Sequence, residues 1–180
     1  KKKKLKLVMF LDACGHVSHI CRILRQPQGN ALLLGVGGSG RQSLARLATF
    51  INTYDCYQID VVKGYGMSDF GKNVKECLMK AGIEERSQTF LIVDTQLIHS
   101  LMLEYINGIL NTGDVPNIYA EQSDKDAIIN AVRAEVMNKY GNLMESNVMK
   151  VYLNRVQKHI HVVLAMSPLG GAFINRLRMF

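Results

Sequence analysis

Leu32-Leu33-Leu34-Gly35-Val36-Gly37-Gly38-Ser39-Gly40-Arg41-Gln42-Ser43-Leu44 is the stretch from which the rest of the chain is read. An apolar run ends in a glycine-rich turn, the turn ends in a cation, and an amphipathic segment follows. That order describes a buried strand, a loop able to cradle phosphate, and a helix. Phosphate binding needs several backbone N–H groups pointing inward together. Gly37, Gly38 and Gly40 permit the backbone conformations and close approaches that a Cβ opposes. The helix beginning near Arg41 aims the positive end of its dipole at the anion. The stretch nearly matches G-x-x-x-x-G-K-[ST]. Arg41 stands where that pattern has Lys, and Gln42 where it has Ser or Thr. Arg41 brings a forked guanidinium instead of a compact ammonium. Gln42 offers a neutral amide oxygen to Mg²⁺ in place of a hydroxyl, and Ser43 follows one position late.

Two other readings of this loop stand beside mononucleotide binding. The stretch 35–40 formally contains G-x-G-x-x-G, the dinucleotide fingerprint, with Asp60 about 20 positions on as the acidic partner. Asp60 falls inside an expected strand over residues 57–62, and a cation follows Gly40 directly, so the phosphate-loop pattern fits better. The plain alternative is a glycine-rich turn that holds no ligand.

Outward from the loop, apolar stretches alternate between two periods. Helical spacing marks residues 12–25, 41–52 (Leu44, Leu47, Ala48 and Ile51 on one stripe), 69–81 with Gly82 as its end, 98–110, 123–138 and 145–158. Short apolar runs over 30–34, 57–62, 89–93 and 160–165 read as strands buried on both faces of a parallel sheet. The alternation indicates an α/β fold with a mostly parallel central sheet.

Two strand ends carry polar residues. Phe90-Leu91-Ile92-Val93 ends at Asp94, where a carboxylate that organises Mg²⁺ belongs. The next residue is Thr95, then Gln96, and neither is a base near neutral pH. Met166-Ser167-Pro168 follows the last strand, and Ser167 can report on a γ-phosphate or orient water. Arg176 and Arg178 lie close to the end of the sequence, as surface cations or as groups reaching a neighbouring subunit's nucleotide.

The composition is globular: over 180 residues, 48% are hydrophobic and 21% charged. No apolar run approaches the roughly 18–20 residues of a membrane span, and no secretory signal is evident. Cys14, Cys21, Cys56 and Cys77 show no C-x-x-C spacing and read as reduced, mostly buried thiols. The net charge of +7 owes much to Lys1, Lys2, Lys3, Lys4 and Lys6, a Lys-rich end expected to be poorly ordered. No basic face rich in aromatics accompanies that charge, so neither nucleic acid nor membrane is expected as a partner.

The motifs at residues 35–48, Tyr65-Gly66-Met67-Ser68-Asp69-Phe70, Asp94-Thr95-Gln96, residues 109–117 (Ile-Leu-Asn-Thr-Gly-Asp-Val-Pro-Asn) and residues 173–180 (Phe-Ile-Asn-Arg-Leu-Arg-Met-Phe) together resemble dynein heavy chains. They look like the fourth AAA+ module of the motor ring, in the axonemal branch. The resemblance implies a P-loop AAA+ three-layer α/β/α sandwich, with residues 1–180 as one large subdomain and with lid and stalk elsewhere. It makes residues 35–43 the Walker A loop, Asp94 the Walker B carboxylate with Mg²⁺, and Ser167 the sensor-one position. It also makes Arg176 or Arg178 an arginine finger for an adjacent module, and places residues 16–24 near the adenine. The implied cofactors are ATP or ADP with Mg²⁺. The implied partners are neighbouring AAA+ modules, microtubules through a stalk, and dynein intermediate and light chains, in the cytoskeleton of a cilium or flagellum. Thr95 replaces the Glu that activates water in this layout. The expected function is therefore a nucleotide-binding regulatory module with slow or no hydrolysis. An active ATPase site and a structural module with an empty pocket are the alternatives.

Overall fold

The computed structural model describes residues 9–168, and its centre is the continuous apolar strand anticipated from Phe90-Leu91-Ile92-Val93. This strand, β3 (Gln88–Val93), is buried at every position. So is β4 (Ile160–Met166), its parallel neighbour. The other strands are β1 (Ala31–Leu34) and β2 (Asp55–Gln58). All pairings are parallel, in the order β1-β4-β3-β2. Among the described residues six helices flank the sheet: α1 (Leu11–Leu24), α2 (Arg41–Ile51), α3 (Met67–Ile83), α4 (Ser100–Thr112), α5 (Gln122–Tyr140) and α6 (Glu145–His159).

Successive side chains of a strand point to opposite faces, and the two faces are covered by different helices. Leu91, Val93, Val163 and Ala165 pack with Val17, Ile20 and Leu24 of α1 and with Ala45 and Ala48 of α2. Phe90, Ile92, Val162, Leu164 and Met166 pack under α3, α4, α5 and α6, against residues such as Phe70, Leu78, Met102, Ile106, Ile128 and Tyr152. The result is the expected three-layer α/β/α sandwich. Beyond β1 this sheet has no further strand among the described residues, and Leu32 and Leu34 alternate outward, both exposed.

Several local expectations shift. The second strand begins and ends earlier than the apolar run 57–62 suggests. Ile59 is buried beyond the strand end, while Val61 and Val62 are exposed. Ile51 is exposed on α2, and Ala45 takes its place on the buried stripe. Gly82 lies within α3 and does not end it. A Cβ there would stand 2.3 Å from a ring carbon of Tyr152, so the glycine marks a close helix–helix contact. Two cysteines are exposed, Cys14 and Cys56. Cys77 is buried, and burial pushes its thiol up to about 12.

Candidate functional site

Parallel pairing places three chain segments at one edge of the sheet. Leu34 lies opposite Met166, and Val93 opposite Ala165. The residues that follow these strand ends therefore emerge side by side: Gly35 after β1, Asp94 after β3 and Ser167 after β4.

The loop from Gly35 to Gly40 turns on two left-handed residues, Gly38 at φ +82° and Gly40 at φ +80°. A side chain at either position would be strained by roughly 1–2 kcal/mol. Ser39 N–H donates to Val36 O at 3.2 Å, closing the turn. A Cβ built on Gly37, Gly38 or Gly40 would meet nothing within 4 Å, so the loop keeps an open surface there. Gly40 is the N-cap of α2 and supplies no side-chain cap. The first-turn amides, which include those of Arg41, Gln42 and Ser43, have no partner within the helix. Loop and helix end thus present the uncapped N–H groups that a phosphate requires.

Arg41 and Gln42 each have definite partners. Arg41 donates from Nη1 to Met166 O and from Nη2 to Val36 O, the latter at 3.2 Å. Gln42 Oε1 accepts from Gln58 Nε2 at 3.3 Å, while Arg46 Nη2 donates to Gln58 Oε1. These last contacts arise because α2 crosses β4, β3 and β2 on its way to the far edge strand. Asp94 opens a single 3₁₀ turn, Asp94–Gln96. Its Oδ1 accepts Thr95 N–H at 2.9 Å, and its Oδ2 accepts Ser167 N–H at 3.0 Å. Thr95 is exposed. Gly35 N–H donates to Met166 O at 3.3 Å. Gly35, Arg41, Asp94 and Ser167 are therefore joined in one hydrogen-bonded circuit, with Ser39, Gln42 and Ser43 on the loop and first helical turn beside it. Residues 16–24 lie on α1, which packs against α2 and β1. Arg176 and Arg178 lie outside the described residues.

Gln96 is a residue whose part the sequence reading missed. Its Oε1 accepts Val93 N–H at 2.9 Å and its Nε2 donates to Ile59 O. It ties the end of β3 to the segment after β2, beneath the turn that carries Asp94. A polar residue two positions after a strand-end Asp was the available signal, but its partner lies 37 positions away.

Asp60 follows the strand end instead of lying within β2. Its position relative to the strand therefore does not exclude a dinucleotide site. Strand order does: β4 and β3 separate β2 from β1, whereas the dinucleotide fold sets those two strands side by side. Among the described residues no three His, Cys, Asp or Glu side chains gather as a metal cage. One carboxylate at a phosphate loop is the donor set of a Mg²⁺ bound mainly through phosphates and water.

A cleft of about 520 Å³ lies apart from this edge, lined by Asp114, Ile118, Lys125, Ile129, Glu145 and Met149 among others. On the far helical layer Lys75 joins α3 to α5 through Asp124 at 2.8 Å. No described helix is long and apolar enough to cross a membrane.

Residues 5–180 match the family described as P-loop containing dynein motor region D4. The chain is 49% identical over 177 residues to dynein axonemal heavy chain 1 of Mus musculus. It is 44% identical over 181 residues to dynein axonemal heavy chain 6 of Homo sapiens, and 43% identical over 178 residues to the dynein beta chain of the flagellar outer arm of Chlamydomonas reinhardtii. These alignments cover 98–99% of the chain but 4% of each relative. A glycine loop, a strand-end aspartate and a parallel sheet, matched over nearly the whole length, show that the chain belongs to the dynein heavy-chain family, as its P-loop D4 region of the axonemal type.

Proposed function

We propose that this chain is the large subdomain of a nucleotide-binding AAA+ module that holds ATP or ADP with Mg²⁺ and turns it over slowly or not at all. The reading rests on the junction of Gly35, Arg41, Asp94 and Ser167 at one sheet edge, with exposed Thr95 next to the carboxylate. The loop amides and the α2 dipole would bind phosphate, and Asp94 would orient the metal. Thr95 has no basic group, and loss of a general base typically costs two to four decades in rate. Binding does not use that group and survives. Nucleotide chemistry, when a ligand is bound, would be phosphoryl transfer to water.

In the whole protein, bound nucleotide would favour one arrangement of the motor ring by its differential affinity for two states. Neighbouring AAA+ modules would complete the pocket, with Arg176 or Arg178 serving the adjacent one. The whole heavy chain would act in microtubule-based movement of a cilium or flagellum, with intermediate and light chains as partners. The names of the axonemal and flagellar relatives support that placement.

A second reading, a scaffold module with an empty loop, has one observation in its favour: the Arg41 guanidinium already serves the Met166 and Val36 carbonyls. Hydrogen exchange of the peptide covering residues 35–44, measured in the full-length protein during an ADP or ATP titration, separates the two. Saturable protection is expected with Mg²⁺. An unchanged exchange rate up to millimolar nucleotide would leave only the scaffold. Thr95→Glu is expected to raise the rate of single-turnover hydrolysis at this module by at least tenfold while changing affinity less than threefold. An unchanged rate in a folded variant would remove Thr95 as the limiting residue.

A further inference from the structure

The Met166 carbonyl and the Ser167 N–H belong to one peptide unit. That unit is planar, and in the trans form its C=O and N–H point in opposite directions. On the carbonyl side it accepts Gly35 N–H and Arg41 Nη1. On the amide side it donates to Asp94 Oδ2 at 3.0 Å. A single rigid plane thus stands between the glycine loop and the metal-organising carboxylate. Arg41 grips that plane and, through Nη2, its own loop at Val36. A Lys ammonium has charge but no planar fork to hold two carbonyls in fixed geometry.

We infer that Arg41 is a positioning residue for Asp94, acting through the Met166–Ser167 peptide, and that its role here exceeds that of a charge placed against phosphate. The inference builds on nucleotide binding by this loop. It assigns a reason to the Arg in the position where the phosphate-loop pattern has Lys. The guanidinium fixes the tilt of the peptide plane, the plane fixes Asp94, and the Mg²⁺-dependent part of binding follows from Asp94. Gly35 N–H alone would leave the carbonyl side of the plane held on one hydrogen bond of 3.3 Å.

The test uses the full-length protein and hydrogen exchange of the peptide covering residues 35–44, titrated with ADP in EDTA and again in Mg²⁺. In the parent protein Mg²⁺ should tighten the apparent Kd. Arg41→Lys and Arg41→Ala should both reduce that tightening at least fivefold, each read against its own metal-free Kd. Both should also speed exchange at the Ser167 amide without nucleotide. Combined with Asp94→Asn, either variant should have little further effect on the Mg²⁺ term, because the two residues act in series. Full restoration of the Mg²⁺ term by Arg41→Lys, or additive losses with Asp94→Asn, would overturn the inference while leaving nucleotide binding intact. If Arg41→Ala fails to fold, Arg41→Lys carries the test alone. Absence of any protection in the parent would instead reject nucleotide binding itself.

Discussion

One face of the sheet sends Phe90, Ile92, Val162, Leu164 and Met166 into the large side chains of α3–α6; the other sends Leu91, Val93, Val163 and Ala165 towards Val17, Ile20 and Leu24 of α1 and the small Ala45 and Ala48 of α2. The first face is thick, with a buried Tyr119–Tyr152 pair whose hydroxyls meet at 3.0 Å and whose rings pack edge to face. Burial raises both hydroxyls well above the usual tyrosine range. The second face is thin. α2 presents the small Ala45 and Ala48 to this face, and its start follows directly from the loop at the strand-end edge. The larger buried cluster lies on one side, and α2, the helix that follows the phosphate loop, on the other. Substitutions that disturb the loop can therefore leave the main core intact.

Neighbouring residues of β3 offer the strongest way to break this comparison. Phe90→Ala should destabilise β3 by about 3–5 kcal/mol, and Leu91→Ala by about 2–3 kcal/mol, since the smaller side chain leaves the smaller cavity and belongs to the smaller core cluster. Native-state hydrogen exchange of the β3 amides reads both. Equal losses would mean that the two faces are equally rigid. A matched pair of glycines comes next. Gly82→Ala drives a methyl towards the Tyr152 ring and should cost about 1–3 kcal/mol. Gly37→Ala enters open space with no positive φ and should change stability by less than about 0.5 kcal/mol while weakening nucleotide protection of the loop. Gly38→Ala sits between these, at about 1–2 kcal/mol, because of its left-handed backbone alone.

The smallest effect concerns His161, buried in β4, stacked on Tyr54 at 5.3 Å and donating from Nδ1 to Gly29 O at 2.9 Å. Burial lowers its pKa, opposed by the Gly29 carbonyl. The unfolded chain then binds a proton first as the pH falls, so this contribution to stability is present above about pH 6.5 and is lost on acidification. His159, also lowered chiefly by burial, acts in the same direction. His161→Asn should flatten the acid limb of a stability–pH profile for the β1–β4 amides, by less than about 1.4 kcal/mol per pH unit. An unchanged profile would assign the acid sensitivity to His159.

Much of the fold was legible because each helix and strand carries its own period. The continuous run before Asp94 identified the central strand, and the helical stripes identified the six flanking helices. The apolar run 57–62 sets the second strand too late, because Ile59-Asp60-Val61-Val62 is as apolar as a strand, yet only Ile59 is buried. A glycine near the end of a helical pattern, such as Gly82, signals a stop. Its true constraint is a ring on α6, which no local pattern shows. Within the candidate site, the glycine loop and Asp94 could be named from the residues. The pairing of Arg41 with Met166, 125 positions away, could not.

By itself the sequence determined the alternation of elements, the glycine-rich turn, the carboxylate at the end of an apolar strand, the missing base at Thr95 and the resemblance to dynein heavy chains. Those are properties of side chains and of short-range spacing. The tertiary structure decided that β4 lies between β1 and β3, and so that one peptide plane joins the phosphate loop to Asp94. Strand neighbours are chosen by packing across the whole sheet. The bonds that join them run between backbone groups every residue shares, so they leave no mark on the order of side chains.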